Sequence, residues 1–334
     1  MLARIAQELF WLGRDLTRAE HTARMLDGAF HADVAGAPGQ RGIALSWDGV
    51  LAIIGAKPPV PGEHKEATAT SVDDAADVFD GSGRRTAVAS LLTIDLDSPA
   101  SILSCVERAR ERMRTLRDVI STEMWQALNS FYLALGRYDL ESALQTGPYS
   151  VYQEVKERCA LFWGLVDRTM LRDEGRAFLE AGGRIEEADM VLRMLQVSVL
   201  PEPQASSADS EGEALAVLQA VGGFQAYWRA IQNAPTVDAV VRFLLYDVTY
   251  PGSVASSVDA LREALASADP QPRFSPPVLR LGRLAADLEL QERTPDEPSG
   301  LAAQLAAVQD ELELVGRDVD ARYFAIAAVA AIHL

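Results

Sequence analysis

"AVASLLTIDLDSPASILSCVERARE" (residues 87–111) and "AVVRFLLYDVTYPGSVASSVDALRE" (239–263) align without a gap, and this pairing decides how the chain is read. Ten of the positions are identical, among them Leu92/Leu244, Asp95/Asp247, Pro99/Pro251, Ser101/Ser253, Ser104/Ser256 and Glu111/Glu263. In both copies a helical run ends near the aspartate. The proline, which fits only a first helical turn, is expected to open the next helix, with Ser98 as the cap in the first copy. The match continues outward. "VLAIIG" (50–55) answers "VLQAVG" (217–222), and the opening segment answers 170–197 through Met1/Met170, Gly13/Gly182, Ala19/Ala188, Arg24/Arg193 and Leu26/Leu195, with Glu20 opposite Asp189. Self-similarity at so long a period marks a duplicated unit. The expected architecture is an all-α, internally duplicated helical bundle with pseudo-twofold symmetry, its repeats covering 1–168 and 169–334 in one compact unit.

The periodicity is helical nearly throughout. Ile5, Leu9, Leu12, Leu16, Ala19, Ala23 and Leu26 fall on one stripe of the first helix, over residues 2–30. Further helices are expected over 44–55, 71–79, 85–94, 99–120, 122–137, 149–180, 182–199, 212–232, 236–247, 252–267, 276–291 and 299–332. β-branched alternation never runs long enough for a strand. Pro and Gly mark the loops, as in "KPPVPGEH" (57–64), "PEPQASSADSEGE" (201–213) and "RTPDEPSG" (293–300). "GSGRR" (81–85) is expected in a polar loop. "YFAIAAVAAIHL" (323–334) is too short to span a bilayer and is expected to be a packing helix.

Composition narrows the function. The chain has 334 residues, 49% of them hydrophobic and 24% charged, the balance of a soluble globular protein. Its net charge of −17 argues against nucleic-acid and anionic-lipid surfaces. Cys105 and Cys159 sit within helical patterns and outside any CxxC spacing, which leads to the expectation of reduced core thiols and a cytoplasmic protein. No signal-peptide pattern opens the chain.

"LGRDLTRAEHTARMLD" (12–27) concentrates Arg14, Arg18, Glu20, His21 and Arg24 on one short helix. Arg14, Arg18, His21 and Arg24 share a sector opposite the leucine stripe, with Phe10 and Met25 in the same sector. Glu20 precedes Arg24 by four residues, the favourable order for an ion pair, and Asp189 and Arg193 repeat that spacing. Such pairs are expected to lock helices or halves together. The competing reading is a pocket for a carboxylate or phosphate, since arginine forks suit planar oxyanions. His21 by itself is expected on the helix surface.

The opening block, "SPASILSCVERARERMR" (98–114), "STEMWQALN" (121–129) and "TMLRDEGRAFLEAGGRIEEADMVLRML" (169–195) together resemble the bacterial alpha-E family over nearly the whole chain. The resemblance implies an all-helical fold with a Glu-Arg dipeptide in each motif helix. Here the first dipeptide stands as Thr17-Arg18 and the second as Glu186-Glu187, so each copy keeps a different half. The family context implies partnership with an ATP-grasp ligase and a transglutaminase-like peptidase, in making or processing a peptide or related amide. It adds Glu186 beside Glu20 as a candidate acid/base, and Arg172 and Glu123 join Arg14, Arg18, Arg24, Asp189 and Arg193 as candidate ligand contacts.

Other chemistry finds little footing. No serine lies in a nucleophile elbow and no glycine-rich phosphate loop opens a helix. His21, His31, His64 and His333 lack helical i,i+4 partners, so no metal is expected, and no cofactor. Two functions from different classes remain. One is a binding or scaffold subunit of the ATP-grasp system, holding a peptide or carboxylate ligand. The other is an enzyme in which Glu20, Glu186, Arg18, Arg24 and Arg193 form an acid/base and oxyanion site in a central cleft.

Overall fold

The computed structural model describes residues 1–34, 45–58, 81–140, 142–143, 149–198, 207–294 and 300–325. Thirteen α-helices form and no strand does, among the described residues. Two long helices, α1 (Ala3–Val34) and α7 (Glu174–Ser198), pack against each other at the centre of the molecule. The leucine stripe of α1 is buried, and so are Phe10, His21, Thr22 and Met25 on its other side. α1 is therefore covered nearly all round, and the same holds for α7. One hydrophobic cluster joins both helices to the rest of the chain.

The crossing of α1 and α7 is made by glycine. A Cβ on Gly13 would lie 2.2 Å from the Leu179 carbonyl oxygen, and one on Gly182 would lie 1.8 Å from that of Phe10. No side chain fits either position, so the two backbones touch there. Around this pair, α4 (Ile102–Thr115) lies on α1, α5 (Thr122–Leu135) on α4, and α6 (Tyr149–Thr169) on both α5 and α1. On the other side, α11 (Val254–Ala268) lies on α7, α12 (Pro276–Arg293) on α11, and α13 (Leu301–Val319) on both α12 and α7. α2 (Trp47–Ile54) packs on α7, whereas α8 (Ser207–Ala220) packs on α1. α3 (Gly81–Thr93), α9 (Phe224–Ile231) and α10 (Val237–Tyr246) complete the bundle. No helix among the described residues is long and apolar enough to cross a membrane.

Several expected boundaries change. Pro99 and Pro251 do not open helices: each sits in a turn before a serine that does the capping. The hydroxyls of Ser101 and Ser253 accept from the backbone N–H of Ser104 and Ser256, each at 3.0 Å. Serine satisfies an orphan donor at the helix start, which a proline cannot do. Asp95 and Asp247 lie where expected, just past the ends of α3 and α10, each accepting a backbone N–H two residues on at 2.8 Å. The break expected near 181 falls instead at 170–173, and Gly182 and Gly183 lie inside α7. The 212–232 segment is two helices, parted at Gly222, whose φ of +73° a side chain would strain. "GSGRR" is the start of α3, not a loop. The expected helix over 71–79 and most of the C-terminal packing helix lie outside the described residues.

Candidate functional site

The crossing that glycine allows brings charged side chains of α1 against α7. Glu186 is fully buried, and both of its oxygens are taken: Arg14 Nε donates to Oε2 at 2.7 Å and Arg18 Nε to Oε1 at 2.5 Å. Burial alone would raise the Glu186 carboxyl, but the two guanidiniums hold it below the usual carboxylate range. Arg18 and Glu186, expected to be the retained halves of the two dipeptides, thus meet each other across the helix interface. Thr17 is buried beside them.

Glu20 and Arg24 pair along α1 at 2.7 Å, and Asp189 and Arg193 pair along α7 at 2.9 Å. Both pairs are intrahelical, so neither ion pair ties α1 to α7 as expected; the Arg14/Arg18–Glu186 cluster does. Asp189 also accepts from Gln309 of α13. Arg172 and Glu123 are exposed, in the turn before α7 and the first turn of α5, and line neither cleft described below.

Sequence reasoning missed a second buried acid. Asp15 sits on the buried face of α1 between Leu12 and Leu16, and takes Arg108 at 2.9 Å and Arg112 at 3.1 Å from α4. Burial outweighs these two cations and raises its pKa. The available signal was an acid inside an apolar stripe, with two arginines four apart on one helix.

α1, α6, α7 and α11 enclose a cleft of about 610 Å³. Glu20, His21 and Arg24 line it from α1; Glu180, Gly183, Arg184 and Glu187 from α7; Trp163 from α6; and small residues such as Ala260 and Ser267 from α11. Its volume is that of a small-molecule site. His21 is buried, not on the surface, because α7 packs against α1 there; its Nδ1 has no hydrogen-bond partner among the described residues. Burial lowers its pKa against the opposing pull of Glu187 and Glu20, so the ring is neutral at neutral pH. Unfolding releases that ring to its ordinary value. Stability should therefore fall as pH drops below about 6.5, by up to about 1.4 kcal/mol per pH unit, until the folded-state pKa is passed. Urea unfolding at roughly pH 7.5 and 5.5 checks this, and in His21→Gln that part of the pH slope should vanish.

A smaller cleft of about 360 Å³ lies across the α1–α7 pair, lined by Trp11, Arg14, Asp189, Arg193 and residues of α13. There the Arg14 guanidinium covers Trp11, 4.8 Å from the ring centre. Among the described residues no group of three or more His, Cys, Asp or Glu is placed to hold a metal ion. Cys105 and Cys159 are free and buried, and burial pushes the Cys105 thiol up to about 12.

The Alpha-E family model, described as "a predicted alpha-helical domain with a conserved ER motif", matches residues 1–324. The chain is also similar to uncharacterized proteins of Mycobacterium bovis and of two Mycobacterium tuberculosis strains, at 27% identity over 95% of its own length. It spans only 36% of the length of each of these relatives. No solved structure matches it.

Proposed function

We propose, from the premise that the chain belongs to the Alpha-E family, that it is a duplicated helical binding subunit. Its two copies, 1–168 and 169–334, are related by a pseudo-twofold axis through the Gly13/Gly182 crossing. The reciprocal contacts of Gly13 with Leu179 and Gly182 with Phe10 support this reading, as do the matched caps at Ser101 and Ser253. So does the approach of Arg24 to Gly222 and of Arg193 to Gly55, both glycines with left-handed backbone.

The subunit acts with an ATP-grasp ligase, and with a transglutaminase-like peptidase, in making or processing a peptide or related amide in the cytoplasm. Its share is to hold a ligand. One observation carries this reading: the 610 Å³ cleft is lined by His21, a neutral imidazole whose Nδ1 has no hydrogen-bond partner among the described residues, while the Glu186–Arg18 centre is sealed in the core. An acid/base residue must gain and lose a proton near the working pH. Glu186, saturated by two guanidiniums and held low, is poorly suited to that. The mycobacterial relatives, in which this unit is about a third of a longer chain, fit a module that works beside other domains.

The test is to titrate the purified chain into an ATP-grasp ligase from the same genome, with calorimetry for binding and amide formation as the activity. A saturable complex with raised ligase turnover is expected, and no turnover by the chain alone. Amide turnover by the isolated chain, lost in Glu20→Gln, would replace this reading with the enzyme.

A further inference from the structure

We propose that the large cleft binds the protonated amine of an alkylammonium ligand, seated between Glu20, Glu187 and the face of Trp163, with His21 as a neutral hydrogen-bond acceptor. This rests on reading the chain as a binding subunit and names the ligand class of its cleft.

Charge is the first argument. Four carboxylates line the cleft, Glu20, Glu180, Glu187 and Glu263, against three guanidiniums, Arg24, Arg176 and Arg184. Each guanidinium is already paired: Arg24 with Glu20 at 2.7 Å, Arg176 with Glu180 at 2.7 Å, and Arg184 with Glu187 at 2.8 Å. An anion would have to share these arginines with their carboxylates and enter a site of net negative charge. A cation meets a surplus carboxylate instead. It also finds lone pairs still open, because Arg24 bonds only Oε1 of Glu20 and Arg184 only Oε2 of Glu187.

The second argument is His21. A neutral imidazole offers one acceptor nitrogen, and an ammonium offers three donors and no acceptor, so the two complement each other. The ring is more than nine-tenths buried and lines the cleft, and its Nδ1 has no hydrogen-bond partner among the described residues.

The third is the contrast with the smaller cleft. There the chain supplies its own cation, Arg14 over Trp11. In the repeat register Gly183 stands where Arg14 stands, and a Cβ on Gly183 would come within 2.9 Å of the Trp163 ring. Trp163 therefore lies against bare backbone with no cation of the chain over it among the described residues. An aromatic face beside carboxylates is the setting in which a ligand ammonium gains from both charge and ring.

The amine could belong to a free diamine or to a peptide, and the probes separate these. Calorimetry on the full chain would use cadaverine, the tripeptide Gly-Lys-Gly, and the forms of each with every amine acetylated. Both amine probes are expected to bind, with acetylation weakening each at least tenfold. Glu187→Gln and His21→Leu should each weaken the amine probes at least fivefold, whereas Glu313→Gln, at an exposed residue of the smaller cleft, should leave them unchanged. Circular dichroism confirms that the variants are folded. Tighter binding of cadaverine would assign a free polyamine, and tighter binding of the tripeptide a peptide amine. Equal binding of acetylated and free peptide would overturn the cation assignment while leaving the binding subunit standing. The assignment also fails if neither amine probe binds, whatever the ligase titration shows.

Discussion

Gly182→Ala should destabilise the protein by about 3 kcal/mol or more, although it adds a single methyl group. Overpacking a well-filled core costs typically 1–3 kcal/mol when side chains can shift. Here the added carbon would meet the Phe10 carbonyl at 1.8 Å, and Phe10 belongs to the backbone of α1. Relief requires the two central helices to separate, which loosens every contact between α1 and α7. Gly13→Ala should behave alike, its carbon meeting the Leu179 carbonyl at 2.2 Å. Gly164 is the control: it is exposed within α6, and a Cβ there meets nothing within 4 Å. Gly164→Ala should therefore be neutral or stabilising by up to about 1 kcal/mol, from helix propensity alone. Chemical denaturation of the three variants measures the contrast. A mild loss in Gly182→Ala, close to that of an ordinary core substitution, would mean that the helices are not held in backbone contact. The site is tied to the same crossing, because Glu20 and His21 on α1 and Gly183 and Glu187 on α7 flank it; ligand affinity should fall with stability.

What the sequence made legible is what local pattern controls. The leucine stripe of α1, the near-absence of strand signals and the aspartates after α3 and α10 all follow from spacing and capping within one segment. The helix boundary expected at 181, next to Gly182-Gly183, is absent for a physical reason. Helix propensity treats paired glycines as a break, whereas here packing against α1 requires them and carries the helix through. The prolines misled similarly, since the capping groups are serines two residues further on. His21 and Asp15 were misplaced or missed because a helix buried on all sides lacks the polar face that periodicity looks for. The pairing of Arg18 with Glu186 joins positions far apart in sequence and needs the crossing before it exists. The cleft was the least legible part: Ala260, Ala264 and Ser267 close it by being small, which leaves no chemical signature.

Removing both arginines that hold Glu186, in an Arg14→Ala/Arg18→Ala variant, should destabilise the protein by roughly 3–5 kcal/mol, the cost of stranding a buried charge. Each single variant should cost much less, since the other guanidinium still neutralises the carboxylate; the two losses should sum to less than the double loss. That non-additivity is the signature of a shared partner. The pairs along α1 and α7 supply the comparison. Arg24 and Arg193 are both about one-third exposed, and Arg24→Ala and Arg193→Ala should each cost about 0–1 kcal/mol, as for surface pairs. Acid gives an independent check on the sign. In the native protein the Glu186 pKa is depressed, so its contribution is present above the ordinary glutamate value of about 4.3 and is lost as pH falls through the folded value. In the double variant the same carboxyl is buried without a cation, its pKa is raised, and protonation relieves it. The gap between the two proteins should therefore narrow as pH is lowered from neutral toward about 4, measured by denaturant unfolding across that range. A gap that stays constant, or singles that add up to the double, would show that Glu186 has access to water or another partner. Arg18 and Glu186 would then no longer account for the stability of the central crossing.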